Sequence, residues 1–111
     1  MLVSPKGVHE DFAQDLTESE RNMVLAVQGA TNVAILSGTI TKPAWRDKPS
    51  WFVVAEQDRT ISPEQEASTA KRMGAKILTL ASSHLAMLSH PDEVAQFVIE
   101  AAGSIEVSAA A

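Results

Sequence analysis

At 111 residues, 45% hydrophobic and 21% charged, the chain is one small domain or a piece of a larger one, and is too apolar for wholesale disorder. Nine basic against fourteen acidic residues leave a net charge of −5, which argues against a nucleic-acid partner, since that asks for a basic patch. Cysteine is absent, so disulfides, thiolate metal ligation and a cysteine nucleophile are excluded.

The opening "MLVSPKGVHED" has no apolar core long enough for a signal peptide, and no later stretch approaches a membrane span. The expected setting is cytoplasmic, with no membrane partner. Residues 1–15 carry Pro5, Gly7 and scattered charges without a sustained period, and read as an irregular arm. A helix then starts in "LTESERNMVLAVQG". Thr17 caps it, Glu20 stands where a capping box needs its partner, and Met23, Val24 and Val27 share one face. Gly29 is its expected stop, with "ATNVAIL" either prolonging it or forming a separate short helix. The stretch "SGTITKPAWRDKPS" has two prolines and a glycine in fourteen residues, and reads as a connector.

"WFVVAE" is rich in aromatic and β-branched residues and reads as a buried strand. Ser62 as N-cap and Pro63 at the first helical position open a helix, with Gln65 at the capping-box position. Ala67 and Ala70 are placed to let it press against a sheet, and Gly74 ends it. "KILTLA" is a second short strand. After the loop "SSHLAMLSH", Pro91 opens a helix with a stripe of Val94, Phe97, Val98 and Ala101, and Asp92 and Glu93 suit the positive end of its dipole. Gly103 closes it, leaving residues 104–111 as a flexible tail. Strands alternating with helices at this spacing imply an α/β fold with short parallel strands and flanking helices. Two parallel strands leave two open edges, so the chain reads as the last portion of a larger open sheet. Trp45, Trp51, Phe52 and Phe97 suit a core larger than these elements enclose, and self-association is the expected consequence.

Asp58 stands two residues past the first strand and His84 a few residues past the second. In open α/β sheets, sites gather beyond the carboxyl ends of the strands, so both residues project from one edge. There an aspartate fixes the tautomer of a histidine base. An aspartate at that position also serves as a turn residue bonding local amides, and a histidine in a serine-rich loop as polar surface. Arg59 reads as a surface or ion-pairing residue, and Glu56 takes the acid's place only if the strand ends earlier. The three histidines show no metal-site spacing with carboxylates, and no cofactor is expected.

Residues 8–102 resemble the C-terminal end of the α/β-hydrolase superfamily, most closely its small, cap-bearing, esterase-type members. The resemblance lies in Glu56-Gln57-Asp58 followed by Ser62-Pro63, in Ser83-His84, and in the helix entry from Pro91 to Val94. It implies that Asp58 is the acid and His84 the base of a serine-type triad, in the family's order of nucleophile, acid, histidine. It implies that His90 belongs to the helix entry. By the same resemblance residues 16–48 are the end of a cap and its connector, and residues 49–103 the C-terminal βαβα portion of the core. No G-x-S-x-G occurs, and the turn that supplies oxyanion donors is absent too. "LSGTI" offers no substitute, Ser82 and Ser83 sit on the histidine's own loop, and Ser62 is better explained as a cap. The expected activity is that of a partial carboxylic-ester hydrolase, inactive alone. The alternatives are the C-terminal half of a split enzyme, completed by a partner that holds the nucleophile, and a non-catalytic module.

Overall fold

The computed structural model describes residues 1–105, so the expected tail from residue 106 onward lies outside the described residues. The chain begins with a helical turn at Pro5–Gly7 (α1), which widens into a π-type turn at Val8–Phe12. Glu18–Val27 (α2) follows, then 3₁₀ turns at Val33–Ser37 and Ala44–Arg46. The α/β portion comprises Trp51–Ala55 (β1), Pro63–Arg72 (α3), Lys76–Leu80 (β2), Ala86–Ser89 (α4) and Pro91–Ser104 (α5).

β1 and β2 are parallel neighbours, in register from Trp51 opposite Lys76 to Ala55 opposite Leu80. Their carboxyl ends therefore finish side by side. Lys76 N–H donates to Ser50 O at 2.9 Å and Glu56 N–H to Leu80 O at 2.9 Å, so the even-numbered positions of β1 face β2. In a parallel ladder alternate residues bond to opposite sides, which turns the backbone of Trp51, Val53 and Ala55 toward the far edge. Among the described residues the sheet has only these two strands.

The buried sheet core is correspondingly small: Val54, Ala55 and Leu80, with Ala70 of α3 packed over β1. Trp45, Trp51, Phe52 and Phe97 are only half-buried. Each aromatic ring brings roughly 150–250 Å² of surface to cover, and five-residue strands do not cover it. The radius of gyration, 16.1 Å, exceeds the roughly 13 Å of a compact chain of this length.

Local signals fix the helix ends. Thr17 Oγ1 accepts from Glu20 N–H at 3.3 Å while Glu20 Oε2 accepts from Thr17 N–H at 2.9 Å, a complete capping box. Ser62 Oγ accepts from Gln65 N–H at 3.2 Å, with Pro63 opening α3 behind it. Gly74, at φ +63°, takes the left-handed position that ends α3. α5 runs one residue past Gly103, to Ser104. No helix among the described residues is long and apolar enough to cross a membrane.

Four expectations need correction. Residues 1–15 are not irregular throughout, since residues 5–12 are helical: Ser4 Oγ caps Gly7 N–H at 3.0 Å, and Ala13 N–H closes the wide turn on Val8 O at 2.9 Å. The spacing of Val8, Ala13 and Leu16 suits that turn rather than a 3.6-residue repeat, and these three side chains form a buried cluster joined by Val24, Leu25 and Leu85. On α2 the inward face is therefore Val24 and Leu25, while Met23 and Val27 are exposed because only a narrow side of the helix meets the cluster. Ala67 is exposed too; α3 turns Glu66 and Ala70 inward instead. The loop after β2 contains a helical turn, α4, that its serines and histidines had masked.

Because an alanine at position 74 would have to adopt the same left-handed backbone, Gly74→Ala should destabilise the chain by about 1 kcal/mol. Urea or thermal denaturation followed by circular dichroism measures the shift, and an unchanged midpoint would contradict the role given to this glycine.

Candidate active site

The parallel register delivers two loops to one edge, and the site is built where they meet. After β1 the chain turns tightly: Asp58 N–H donates to Ala55 O at 3.2 Å, and Asp58 Oδ1 accepts from Thr60 N–H at 2.7 Å and Ile61 N–H at 3.1 Å. That is an Asx turn, the local role open to any aspartate at a strand end. Here it occupies only one carboxylate oxygen. The other, Oδ2, lies 2.6 Å from His84 Nδ1. The Asp58 side chain is fully buried and the His84 ring is 29% exposed, so the acid is shielded while the base keeps an open side.

Geometry assigns the tautomer. A carboxylate oxygen at Nδ1 requires a proton on that nitrogen, which leaves the lone pair of the neutral ring on Nε2. The imidazole is thus oriented to accept a proton at Nε2, and the Asp58 charge stabilises the imidazolium that results. Burial by itself would raise the Asp58 carboxyl, but hydrogen bonds from His84, Ile61, Glu66 and Thr60 outweigh it and hold the group below its ordinary 3.8.

Four residues that sequence reasoning did not place at the site support this pair. Phe12 lays its ring against the His84 imidazole, centroids 5.0 Å apart. Asp15 Oδ2 accepts from Ser83 N–H at 2.9 Å and so anchors the residue before the histidine. Burial works to raise the Asp15 carboxyl, yet the Ser83 hydroxyl and N–H bring it below 3.8. Gln14 Nε2 donates to Gln57 O at 2.6 Å, next to the acid. Glu66, buried on α3, accepts from Ala55 N–H through Oε2 at 2.7 Å. Burial raises the Glu66 carboxyl above its ordinary 4.5 and facing Asp58 adds to this, against the Ala55 N–H and His84.

The remaining candidates stand elsewhere. Arg59 makes a backbone contact, Nη1 to Glu10 O at 3.1 Å, in place of an ion pair. Glu56 is exposed and stands away from the buried carboxylate. His90 Nε2 lies 3.1 Å from Ala81 O, and its Nδ1 lies 3.6 Å from Glu93 at the entry of α5. Ser82 and Ser83 are completely buried, Ser37 Oγ donates back to Ala34 O at 3.1 Å, and Ser62 is spent on its cap.

Ligand atoms of Asp58, Glu66 and His84 lie within 4.8 Å of one another, close enough to enclose a cation. Each is already engaged: both Asp58 oxygens and His84 Nδ1 in the turn and the pair, Glu66 Oε2 with the strand backbone. A metal would have to displace these bonds. An apolar cleft of about 320 Å³ opens beside it, lined by Phe52, Ile61, Met87 and Val94 and reaching His84. A second groove, between Leu78 and Phe97 under the Asp92, Glu93 and Glu100 carboxylates, contains none of the three.

An open parallel α/β sheet with an acid–histidine pair at its carboxyl edge defines a hydrolase-type architecture. The model of the alpha/beta hydrolase family matches residues 3–97, and the chain belongs to that family. No curated protein and no solved structure matches it significantly.

The two depressed carboxyls set an acid dependence of stability. Between their lowered values and 3.8 the unfolded chain binds more protons than the folded one, so their contribution is complete above 3.8 and is lost as pH falls through the lowered values. Asp58→Asn and Asp15→Asn should each lower the melting temperature at neutral pH, and the difference from wild type should shrink as pH falls below 3.8. Melting curves across that range test it. A constant difference at every pH would mean that the charges are not what these residues contribute.

Proposed function

We propose that this chain supplies the acid and the base of a serine-type carboxylic-ester hydrolase, the nucleophile and the oxyanion donors lying outside these 111 residues. The observation that carries the reading is the 2.6 Å contact between His84 Nδ1 and the buried Asp58 Oδ2. In that role His84 Nε2 takes the proton of a serine hydroxyl as the hydroxyl attacks the ester carbonyl. It then returns the proton to the leaving alcohol, and Asp58 holds the ring in the required tautomer throughout. The apolar cleft beside His84 suits the hydrocarbon part of a small ester. On this reading α2 and the 3₁₀ turns after it are the end of a cap, and residues 49–103 the terminal part of the catalytic core.

That the nucleophile lies outside these residues is supported by the sequence, which holds no G-x-S-x-G, and by the far edge of β1, where the outward-facing backbone of Trp51 and Val53 offers the ladder a further strand needs, Ala55 being taken by Glu66 and Asp58. The buried Asp58 carboxylate locked onto His84 favours an incomplete hydrolase, truncated or split, over a non-catalytic module, which has no use for such a pair. Without a serine, base and acid have no hydroxyl to activate. Without oxyanion donors, transition-state stabilisation worth about 10²–10³ in rate is missing as well.

The purified 111-residue chain should show no covalent labelling by a fluorophosphonate and only background hydrolysis of p-nitrophenyl acetate, unchanged by His84→Ala. Assembled with a polypeptide carrying the family's nucleophile strand, it should restore labelling of that serine. His84→Ala should abolish this, and Asp58→Asn should reduce turnover by roughly 10⁴-fold. Stoichiometric labelling of the isolated chain that disappears in H84A would overturn the reading, since it would reveal a nucleophile inside this sequence.

A further inference from the structure

Behind the acid–histidine pair stands a second buried carboxyl, Glu66, close enough to Asp58 for the two to compete over charge. Glu66 is 8% exposed and Asp58 5%, and their carboxyl oxygens approach within 4.8 Å, with His84 in the same group. Two carboxyls that close and that dry resist ionising together, so as pH rises one holds its proton longer and can donate it to the other. The count of donors decides which. Asp58 receives Thr60 N–H, Ile61 N–H and His84 Nδ1–H, whereas Glu66 receives only Ala55 N–H. Three donors favour the charge on Asp58, so the proton stays on Glu66.

We propose that Glu66 is a positioning residue of the acid–base pair: it keeps the proton that the two carboxyls must share, donates it to Asp58, and so aims Asp58 Oδ2 at His84 Nδ1. The inference rests on the reading of Asp58 and His84 as acid and base. In this arrangement Oε2 accepts from Ala55 N–H, at the far edge of β1, and the other Glu66 oxygen donates to Asp58. The carboxylic acid therefore ties the end of the strand to the catalytic turn. A glutamate is required for reach, because the link starts on α3 and ends on β1. The titratable groups acting on Glu66 are Asp58, from the loop after β1, and His84, from the loop after β2; within α3 it meets none.

The sign of the pH dependence is opposite to that of Asp58. With its folded value above 4.5, Glu66 stabilises the fold fully below 4.5, and that contribution is lost as pH rises through the folded value. Glutamine reproduces the proposed state at every pH, since its amide N–H₂ donates to Asp58 and its carbonyl accepts from Ala55 N–H.

The test uses the full chain, labelled with ¹³C at glutamate carboxyls and ¹⁵N at histidine. The Glu66 carboxyl resonance, assigned by its loss in Glu66→Gln, should titrate with a midpoint above 4.5. The melting temperature of Glu66→Gln relative to wild type should rise as pH increases from 4.5 to that midpoint and level off above it. The His84 Nδ1–H signal should persist in Glu66→Gln and be lost in Glu66→Ala. A Glu66 midpoint at or below 4.5, or loss of the Nδ1–H signal in E66Q, overturns the proposal. Should Glu66→Ala fail to fold, the titration and the glutamine variant still decide it. Failure of the underlying reading is separately visible: an Nδ1–H signal unaffected by Asp58→Asn would show that Asp58 does not orient His84, whatever Glu66 does.

Discussion

The parallel pairing of β1 with β2 is the constraint on which everything else depends. Only when both strands run the same way, and in this register, do the chain segments leaving Ala55 and Leu80 emerge beside each other. An antiparallel pair would put the two loops at opposite ends of the sheet, and Asp58 and His84 would never meet. The pairing itself has little to hold it, since two five-residue strands bury few apolar side chains. Contacts from outside the sheet make up the difference.

Most of those contacts come from the first sixteen residues. Arg59 Nη1 donates to Glu10 O, Thr60 Oγ1 to Asp11 O and Gln14 Nε2 to Gln57 O, all on the acid's loop, while Asp15 holds Ser83 on the histidine's loop. The Val8, Ala13 and Leu16 cluster adds apolar contact with Leu85, next to His84. Gln28 fastens this segment in turn to the end of α2, exchanging two 2.9 Å bonds with the Val3 backbone. The N-terminal segment thus serves as a brace across the loops that carry Asp58 and His84. The wide turn at Val8–Phe12 lets it bring Phe12 against the imidazole while Asp15 reaches Ser83, and π-type turns are often found at functional sites.

How much of this was legible in the sequence follows from the range of the forces involved. Caps and strand cores were readable because their causes are local: Thr17 with Glu20, Ser62 with Pro63, the left-handed Gly74, the run Trp51–Ala55. The Asp58–His84 pairing was readable because strand order and polarity fix it with no need for side-chain detail. Glu66 was hidden. A first-turn glutamate is what any helix dipole favours, and nothing around position 66 reveals that this one turns inward to Ala55 N–H. Phe12 and Asp15 were hidden for a related reason: their partners lie far along the chain. The apolar spacing at Val8, Ala13 and Leu16 carried a signal, but for a five-residue turn rather than the usual helical repeat. The stripe on α2 was misread because a hydrophobic period reports which side is apolar, not how much of it finds cover.

The bond from Ser83 N–H to Asp15 joins residues 68 apart, and the acid–histidine contact joins residues 26 apart. Closing such long loops costs entropy before any contact repays it, so the braced site belongs to the late, high-contact-order part of folding. During synthesis, at roughly 5–20 residues per second, the brace is made first and its counterpart near Ser83 several seconds later. Throughout that interval the apolar side chains around Val8 and Leu16 wait for Leu85. The order in which the ribosome releases the chain is thus the reverse of what a quickly assembled site would choose, and Asp58 and His84 come together only once β2 and the loop after it have been made.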